Sequence, residues 1–264
     1  MSKFLNKISI CILLVLLMVS PVACAAGDDC IYVGVIDSGI SSDVIGSEHI
    51  APGRNYVIQG GDTEDTLGHG TGVSAFITGS ANGKVEGLCP EAMLVPLVYV
   101  TAGEDGTEKY SGAELVARAI YDAVDEFKCD IILVSSGTTE ECENLKKAVE
   151  YAHNKGVLVI AAAGNVEGAS HDVKFYPGAY DSVLCVGSLD EEGNPASFSV
   201  NNETVDLFEQ GEDLRVITLK GTRIRGKGTS YSAAIVAGKA ARLLSDNPKL
   251  KPEDIIEELT DASH

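Results

Sequence analysis

The sequence predicts a three-layer, doubly wound α/β domain in which a mainly parallel central sheet lies between two layers of helices. Short apolar runs rich in Val and Ile alternate with segments whose apolar residues recur at helical spacing. The runs are apolar throughout, which is typical of strands buried on both faces of a parallel sheet. The chain has 264 residues, 45% of them hydrophobic, and no linker or repeat divides it. One large domain is therefore expected.

The elements alternate along the chain. The predicted strands, which share the uninterrupted apolar character, are Ile31–Ile36, Met93–Val100, Ile131–Val134, Val157–Ala163 and Val183–Val186. The predicted helices, which share the helical spacing, are Gly70–Thr78, Ala113–Phe127, Cys142–Lys155, Ser230–Leu244 and an acidic helix from Pro252 to about Thr260. Ligands of such folds bind at the carboxyl ends of the strands. Asp37 directly follows the first predicted strand and is therefore a candidate site residue.

The N-terminal segment has the pattern of a secretory signal peptide, predicted to span residues 1–25. Two lysines precede the apolar run 8–19, which is short for a membrane span, and an Ala-x-Ala site ends at Ala25. Cleavage there would release residues 26–264 as a secreted protein with no stable membrane span. The alternative is a cell-surface lipid anchor on Cys24.

Charge and cysteine content narrow the classes of partner and site. The formal net charge is −19, which disfavours binding to nucleic acid and to anionic membranes. Cys30, Cys89 and Cys129 each precede an apolar run, so we hypothesise a disulfide within this trio at one edge of the sheet. Cys185 lies inside a predicted strand and is expected to be buried, whereas the pairing of Cys142 stays open. No Cys/His spacing indicates a metal site.

Three short segments place a reactive side chain beside glycines, in the order Asp, His, Ser. They are Val-Ile-Asp-Ser-Gly at 35–39, Gly-His-Gly-Thr-Gly at 68–72 and Gly-Thr-Ser-Tyr-Ser at 228–232. Asp37, His69 and Ser230 could supply an orienting carboxylate, a general base and a nucleophile. Taken alone, Asp37 could be a turn residue and Ser230 a helix cap. A histidine between two glycines is less easily explained by packing.

Together with Ala-Ala-Gly-Asn at 162–165 and the longer segment 228–238, these motifs resemble those of the subtilisin-like serine proteases, the subtilases. Their order and spacing are close to those of the family, and the resemblance covers nearly all of residues 26–264. It implies the subtilisin-like version of the fold described above. It also implies a peptidase domain that acts on peptide or protein substrates.

The resemblance implies a secreted serine endopeptidase that works through an acyl-enzyme. Ser230 would attack the peptide carbonyl, His69 would take its proton, Asp37 would orient the imidazole, and Asn165 would donate to the oxyanion. Two segments would pair with an extended peptide through backbone hydrogen bonds. Their residues are Ser135, Ser136 and Gly137 on one side and Gly106, Thr107 and Glu108 on the other.

The sequence departs from the family pattern at two positions near the motifs and in one loop. Gly72 stands where most members have a second histidine, and Ala234-Ile235 replaces the usual Pro-His; neither position does the chemistry. The segment Ser80–Gly87 lies where many members bind calcium, but it contains Lys84, whose ammonium disfavours that ion. We expect no required cofactor and no metal ligands.

Two further departures keep a second reading open. The short stretch between residues 26 and 37 has no room for a prosegment, and the chain after Ser230 is shorter than is usual in the family. We therefore expect either a self-sufficient enzyme or one that needs a separate folding or inhibitory partner. The alternative function is a weak or inactive subtilase-like domain that binds a peptide or protein. An esterase of another α/β fold would need a Gly-x-Ser-x-Gly motif, which Ser230 lacks.

Overall fold

A computed structural model describes residues 30–103, 107–110, 112–166 and 171–261. Its strands, in chain order, are β1 (Tyr32–Asp37), β2 (Arg54–Asn55), β3 (Met93–Val98), β4 (Val100–Ala102), β5 (Glu108–Tyr110), β6 (Ile131–Val134), β7 (Leu158–Ala162), β8 (Leu184–Leu189), β9 (Leu207–Gln210), β10 (Leu214–Ile217) and β11 (Arg223–Gly226). Its α-helices are α1 (Ser42–Ile45), α2 (His69–Thr78), α3 (Gly112–Asp125), α4 (Glu143–Asn154), α5 (Thr229–Asp246) and α6 (Pro252–Asp261).

A seven-stranded parallel sheet forms the middle layer, with the strand order β2-β3-β1-β6-β7-β8-β9. The central strand β1 pairs with β3 on one side and with β6 on the other, so that Val33 lies opposite both Leu94 and Ile131. The predicted fold class is confirmed. All five predicted strands lie in this sheet, and the five predicted helices correspond to α2–α6 with small changes of boundary.

Strand side chains alternate between two cores, one on each face of the sheet. In β6, Ile131 and Leu133 pack on the face covered by α2, α5 and α6, and Ile132 and Val134 pack on the face covered by α3 and α4. All four side chains are buried, which explains why this strand is apolar at every position. Truncating a fully buried one such as Ile132 to alanine would cost about 2–5 kcal/mol of unfolding free energy.

The sequence did not predict the outer strands of the sheet. Strand β2 has only two residues, and β9 is buried only at Leu207, so its sequence Leu-Phe-Glu-Gln has no continuous apolar run. An edge strand has a paired neighbour on one side only, and polar side chains are tolerated there. The antiparallel hairpins β4–β5 and β10–β11 were also missed.

The hypothesis of a disulfide within Cys30, Cys89 and Cys129 is wrong. Cys89 belongs to the core beneath α2 and α5, whereas Cys129 belongs to the core beneath α3 and α4, so the sheet separates them. Both are free thiols; Cys30 is disulfide-bonded, but not to either of them. Cys185 is buried as expected, and Cys142 is free.

Candidate active site

Three elements bring the Asp, His and Ser motifs to the carboxyl edge of the sheet. Strand β1 ends at Asp37, α2 begins at His69, and Ser230 is the second residue of α5. Helices α2 and α5 pack against each other on one face of the sheet, so their N-termini lie side by side above the end of β1. The fold therefore brings together three residues that are far apart in sequence.

A continuous chain of hydrogen bonds joins the three side chains. His69 Nδ1 lies 2.8 Å from Asp37 Oδ2 and 3.0 Å from Oδ1. On the other side of the ring, His69 Nε2 lies 3.0 Å from Ser230 Oγ. With the proton of the neutral imidazole on Nδ1, Nε2 can accept the hydrogen of the Ser230 hydroxyl. The arrangement places a hydroxyl, an imidazole and a carboxylate within the reach that proton transfer requires.

Asp37 is kept ionised by its partners although its side chain is only 3% exposed. It accepts hydrogen bonds from the Ser38 N–H at 2.7 Å and from the Ser135 hydroxyl. Burial raises the pKa of this carboxyl, but the attraction of His69 and the hydrogen bonds from His69, Ser135 and Ser38 outweigh it, leaving the pKa below its ordinary value. The negative charge is therefore available to orient and stabilise the imidazole.

His69 is more basic than an ordinary histidine. Attraction to Asp37 raises its pKa above 6.5, although burial acts in the opposite direction. Its side chain remains 40% exposed, which leaves Nε2 accessible to a substrate. The neighbouring glycine is a steric requirement: a Cβ on Gly70 would lie 2.2 Å from the carbonyl oxygen of Gly39. The start of α2 can therefore approach the end of β1 only with glycine at this position.

Asn165 faces the same space as the Ser230 hydroxyl. Its Oδ1 accepts hydrogen bonds from the Thr229 N–H at 3.0 Å and the Thr229 hydroxyl at 3.1 Å, which fixes the amide. The missing Cβ of Gly228 would lie 3.3 Å from Ser230 Oγ and 3.6 Å from Asn165 Nδ2. The Ser230 N–H belongs to the first turn of α5, whose N–H groups have no intrahelical acceptor. Both donors, at the positive end of the helix dipole, could stabilise an oxyanion.

The sequence-predicted substrate segments lie beside the Asp-His-Ser cluster. Ser135 turns its hydroxyl to Asp37, whereas Ser136 and Gly137 line an apolar cavity of about 210 Å³. On the other side, Thr107 precedes β5, and Glu108 is the first residue of that strand. The charge of Glu108 is close enough to His69 to raise the pKa of its imidazole. Gly106 lies outside the described residues. Residues that follow β5, among them Ala113, line the same cavity.

The segment expected to disfavour calcium is held by a lysine. Lys84 Nζ donates to the Gly221 carbonyl at 2.7 Å, Asn82 Nδ2 donates to the same oxygen at 3.0 Å, and Arg223 donates to the Lys84 carbonyl at 3.2 Å. The side chains that reach this loop present N–H donors, two of them on charged groups, whereas a calcium ion requires oxygen ligands. Across the described ranges, no group of three or more His, Cys, Asp or Glu residues could hold a metal ion.

The residue at the usual second-histidine position has a steric explanation. A Cβ on Gly72 would lie 2.9 Å from a methyl carbon of Val216 in β10 and 3.6 Å from the Tyr231 ring. The space of a larger side chain is therefore already filled. Tyr231 also contacts the His69 ring, with 5.7 Å between the ring centroids.

Sequence reasoning missed three residues that surround the cluster. Thr229 fixes the Asn165 amide, and Ser38 bonds to the Asp37 carboxylate. Asp65 is buried in the turn before α2 and accepts five hydrogen bonds. The only signal for Asp65 in the sequence was an acidic residue shortly before a helix, which is typical of ordinary capping.

Within the ranges that the structure describes, no helix combines the length and apolar character needed to cross a membrane.

Comparisons with known proteins agree with this geometry. A sequence model described as the subtilase family matches residues 28–263. The major intracellular serine protease of Bacillus subtilis (strain 168) is 36% identical over 225 residues, which are 81% of this chain and 68% of that protein. Subtilisin DY of Bacillus licheniformis is 31% identical over 232 residues, 85% of this chain and 80% of that protein. The structure of the prenylagaramide maturation protease PagA is similar with a TM-score of 0.70 at 29% identity, covering 89% of this chain and 83% of that one.

Proposed function

Since this chain belongs to the subtilase family and is accordingly a serine endopeptidase, we propose that it cleaves peptide bonds through an acyl-enzyme formed on Ser230. Asp37 and His69 complete the proposed triad. The observation that carries the proposal is the unbroken hydrogen-bonded chain from Asp37 through His69 to Ser230 Oγ. In this order the imidazole can take the proton of the hydroxyl, while the carboxylate orients the ring and stabilises the imidazolium that forms.

Acylation begins when Ser230 Oγ attacks the scissile carbonyl and its proton passes to His69 Nε2. Asp37 stabilises the resulting imidazolium, while Asn165 Nδ2 and the Ser230 N–H donate to the oxyanion. The C–N bond then breaks, and the departing amine takes the proton from His69. A water molecule repeats the sequence on the ester, with His69 again as base, and releases the acid product and the free Ser230 hydroxyl.

The proposed substrate is an extended peptide segment that lies between Ser135–Gly137 and the segment from Gly106 to Glu108. Backbone hydrogen bonds on both sides would hold it, and alternate side chains would enter pockets. The cavity beside Ser136 and Gly137, lined also by Val116, suits a large apolar side chain. Apolar burial there would add about 25 cal/mol per Å² of side-chain surface removed from water.

The test of this proposal is peptide hydrolysis by the purified protein and by its Ser230→Ala variant. We expect wild-type protein to cleave a fluorogenic peptide library, and the variant to lose at least about 10³-fold in kcat while remaining folded. Equal cleavage by both proteins would show that another group acts as nucleophile. A folded wild type that cleaves nothing would instead support an inert peptide-binding domain.

We also propose that the enzyme is exported, on the basis of the N-terminal signal pattern in residues 1–25. Relatives include both intracellular and extracellular proteases, so homology alone does not decide the compartment. Expression of the full chain in a secreting bacterial host, followed by N-terminal sequencing, tests the proposal. We expect protein in the medium that begins at Ala26. Retention in the cytoplasm with an intact N-terminus would contradict export, and a lipid on Cys24 would indicate anchoring.

A further inference from the structure

A second buried carboxylate lies next to the proposed triad and takes no part in the reaction described above. Asp65 is only 7% exposed, and within the described residues its carboxylate forms no ion pair. It accepts hydrogen bonds of 2.7–2.9 Å from the groups Ser38 Oγ, Leu67 N–H, Gly68 N–H, Thr71 N–H and Thr71 Oγ1. Burying a charge without a counter-ion is costly, and these five bonds offset that cost.

The hydrogen bonds of Asp65 extend to Asp37 through Ser38. The Ser38 hydroxyl lies 2.8 Å from Asp65 Oδ1 and 3.1 Å from Asp37 Oδ1, and it accepts the Gly70 N–H at 2.9 Å. The single hydrogen of the Ser38 hydroxyl is shared between the two carboxylates, and its oxygen accepts the Gly70 N–H. Ser38 is therefore held between the two carboxylates and the backbone of α2. The position of the Asp37 carboxylate relative to α2 is therefore set partly by Asp65.

The remaining hydrogen bonds of Asp65 reach the backbone on both sides of His69. Leu67 and Gly68 donate from the turn before the histidine, and Thr71 donates from the first turn of α2. Gly68 adopts a left-handed conformation with φ of 93°, and its N–H bond to Asp65 fixes this turn. One side chain thus anchors the backbone from which the His69 imidazole extends.

We propose that Asp65 is a positioning residue of the peptidase reaction. Its carboxylate aligns Asp37 and His69, and it places a second negative charge near the imidazolium that forms during acylation. The inference rests on the proposed function above and adds to it a residue that touches neither substrate nor the reacting atoms. It predicts that loss of Asp65 impairs turnover more than substrate binding.

The charged and titratable groups that face His69 determine how the pH profile of activity responds to loss of the Asp65 charge. Attraction to Asp37 is the main cause of the raised pKa of His69, and the charges of Asp65 and Glu108 raise it further. Tyr231 packs against the ring from α5, and burial raises its pKa, so it is uncharged near neutral pH. Removing the charge of Asp65 lowers the pKa of His69, because imidazolium is then less stabilised. The acid limb of activity, where His69 becomes deprotonated, should move to lower pH.

Two variants and a matched control test this inference in the purified enzyme. Asp65→Asn removes the charge and keeps an oxygen for the Leu67 and Gly68 N–H groups; Ser38→Ala breaks the link to Asp37 and keeps the charge. The control, Glu64→Gln, removes the charge of the neighbouring exposed carboxylate, whose one hydrogen-bond donor among the described residues is the Ser42 N–H. Kinetics on one fluorogenic peptide between pH 5 and 9 give kcat, KM and the acid limb, and circular dichroism with thermal unfolding confirms folding.

We expect Asp65→Asn to lose about tenfold in kcat, with KM within about twofold, and its acid limb to move down by about half a pH unit. Ser38→Ala should also lose kcat, but its acid limb should stay at or above the wild-type position. Glu64→Gln should match wild type in both respects.

Folded Asp65→Asn with wild-type kcat and an unmoved acid limb would overturn the inference, as would an equal shift of the limb in Glu64→Gln. Should Asp65→Asn fail to fold, Ser38→Ala decides: wild-type turnover in that variant overturns the inference. An inactive wild-type enzyme would contradict the proposed function itself, and the inference with it. That failure differs from the others because the wild type, rather than a variant, lacks activity.

Discussion

Replacing Thr229 with valine tests whether the orientation of the Asn165 amide controls turnover. Thr229 is 1% exposed, and valine has nearly the same shape, so the change removes a hydroxyl from a fixed position. That hydroxyl donates to Asn165 Oδ1 at 3.1 Å and accepts the Gly164 N–H at 3.2 Å. The Thr229 N–H, 3.0 Å from the same Oδ1, remains and keeps one of the two anchors of the amide.

The expected loss follows from what is removed and what stays. Loss of an entire oxyanion donor costs about 10²–10³ in kcat, a figure that comes from a subtilisin and is therefore a value for this family rather than an independent estimate. Thr229→Val leaves the Asn165 amide in place and removes two neutral hydrogen bonds, of which only the one to Asn165 Oδ1, worth about 1 kcal/mol, orients that amide. Because the transition state is then less stabilised, kcat should fall about fivefold, and KM should stay within about twofold of the wild-type value.

The assay is steady-state hydrolysis of a fluorogenic peptide, with Thr229→Ser as the matched control because it keeps the hydroxyl. Thr229→Ser should retain wild-type kcat within about twofold. The reasoning would be refuted by wild-type turnover in folded Thr229→Val, or by equal losses in both variants. A loss as large as that of Asn165→Ala would show that one anchor cannot hold the amide at all.

Three further predictions follow from the site and its surroundings. The pKa of His69 is raised above 6.5, and only the neutral imidazole accepts a proton, so kcat/KM should rise with pH through a midpoint above 6.5. A midpoint below 6.5 in a pH–rate profile would contradict this prediction. EDTA should leave the thermal unfolding midpoint unchanged, and destabilisation by EDTA would indicate a bound ion. Since Lys84 Nζ bonds to the Gly221 carbonyl, Lys84→Met should lower the midpoint by about 2–4 °C, whereas the control Lys220→Met should not. Ala113→Leu should reduce kcat/KM selectively for peptides with large apolar residues near the cut, because it fills the cavity beside Gly137; uniform losses across a peptide series would place the binding of these residues elsewhere.

The parts of the fold that sequence could predict are those fixed by local patterns. Strand β6 is buried on both faces and therefore apolar at each of its four positions, a signal that needs no knowledge of its neighbours. Strand β9, at the sheet edge, carries polar residues after Leu207 and lacks that signal. The glycines beside His69 were informative because a close backbone contact excludes a side chain at Gly70 and the left-handed conformation of Gly68 favours glycine.

Sequence reasoning failed where the outcome depends on which face of the sheet a residue occupies. Cys89 and Cys129 both precede strands, but the sequence does not reveal that they lie in different cores on opposite faces. Asp65 was missed for a related reason: its importance comes from Ser38 and Thr71, which only the tertiary fold brings to it. Local pattern thus predicted the candidate reactive groups, whereas the groups that position them depend on long-range packing.

Labelling by a fluorophosphonate tests the central claim, that Ser230 is the nucleophile activated by His69 and Asp37. The purified protein is treated with the probe at pH 8, and intact-mass and peptide analysis count and locate the label. We predict one label per chain, on Ser230, with none in Ser230→Ala and strongly slowed labelling in folded His69→Ala. A folded wild type that takes no label, or takes it on another residue, would contradict the account.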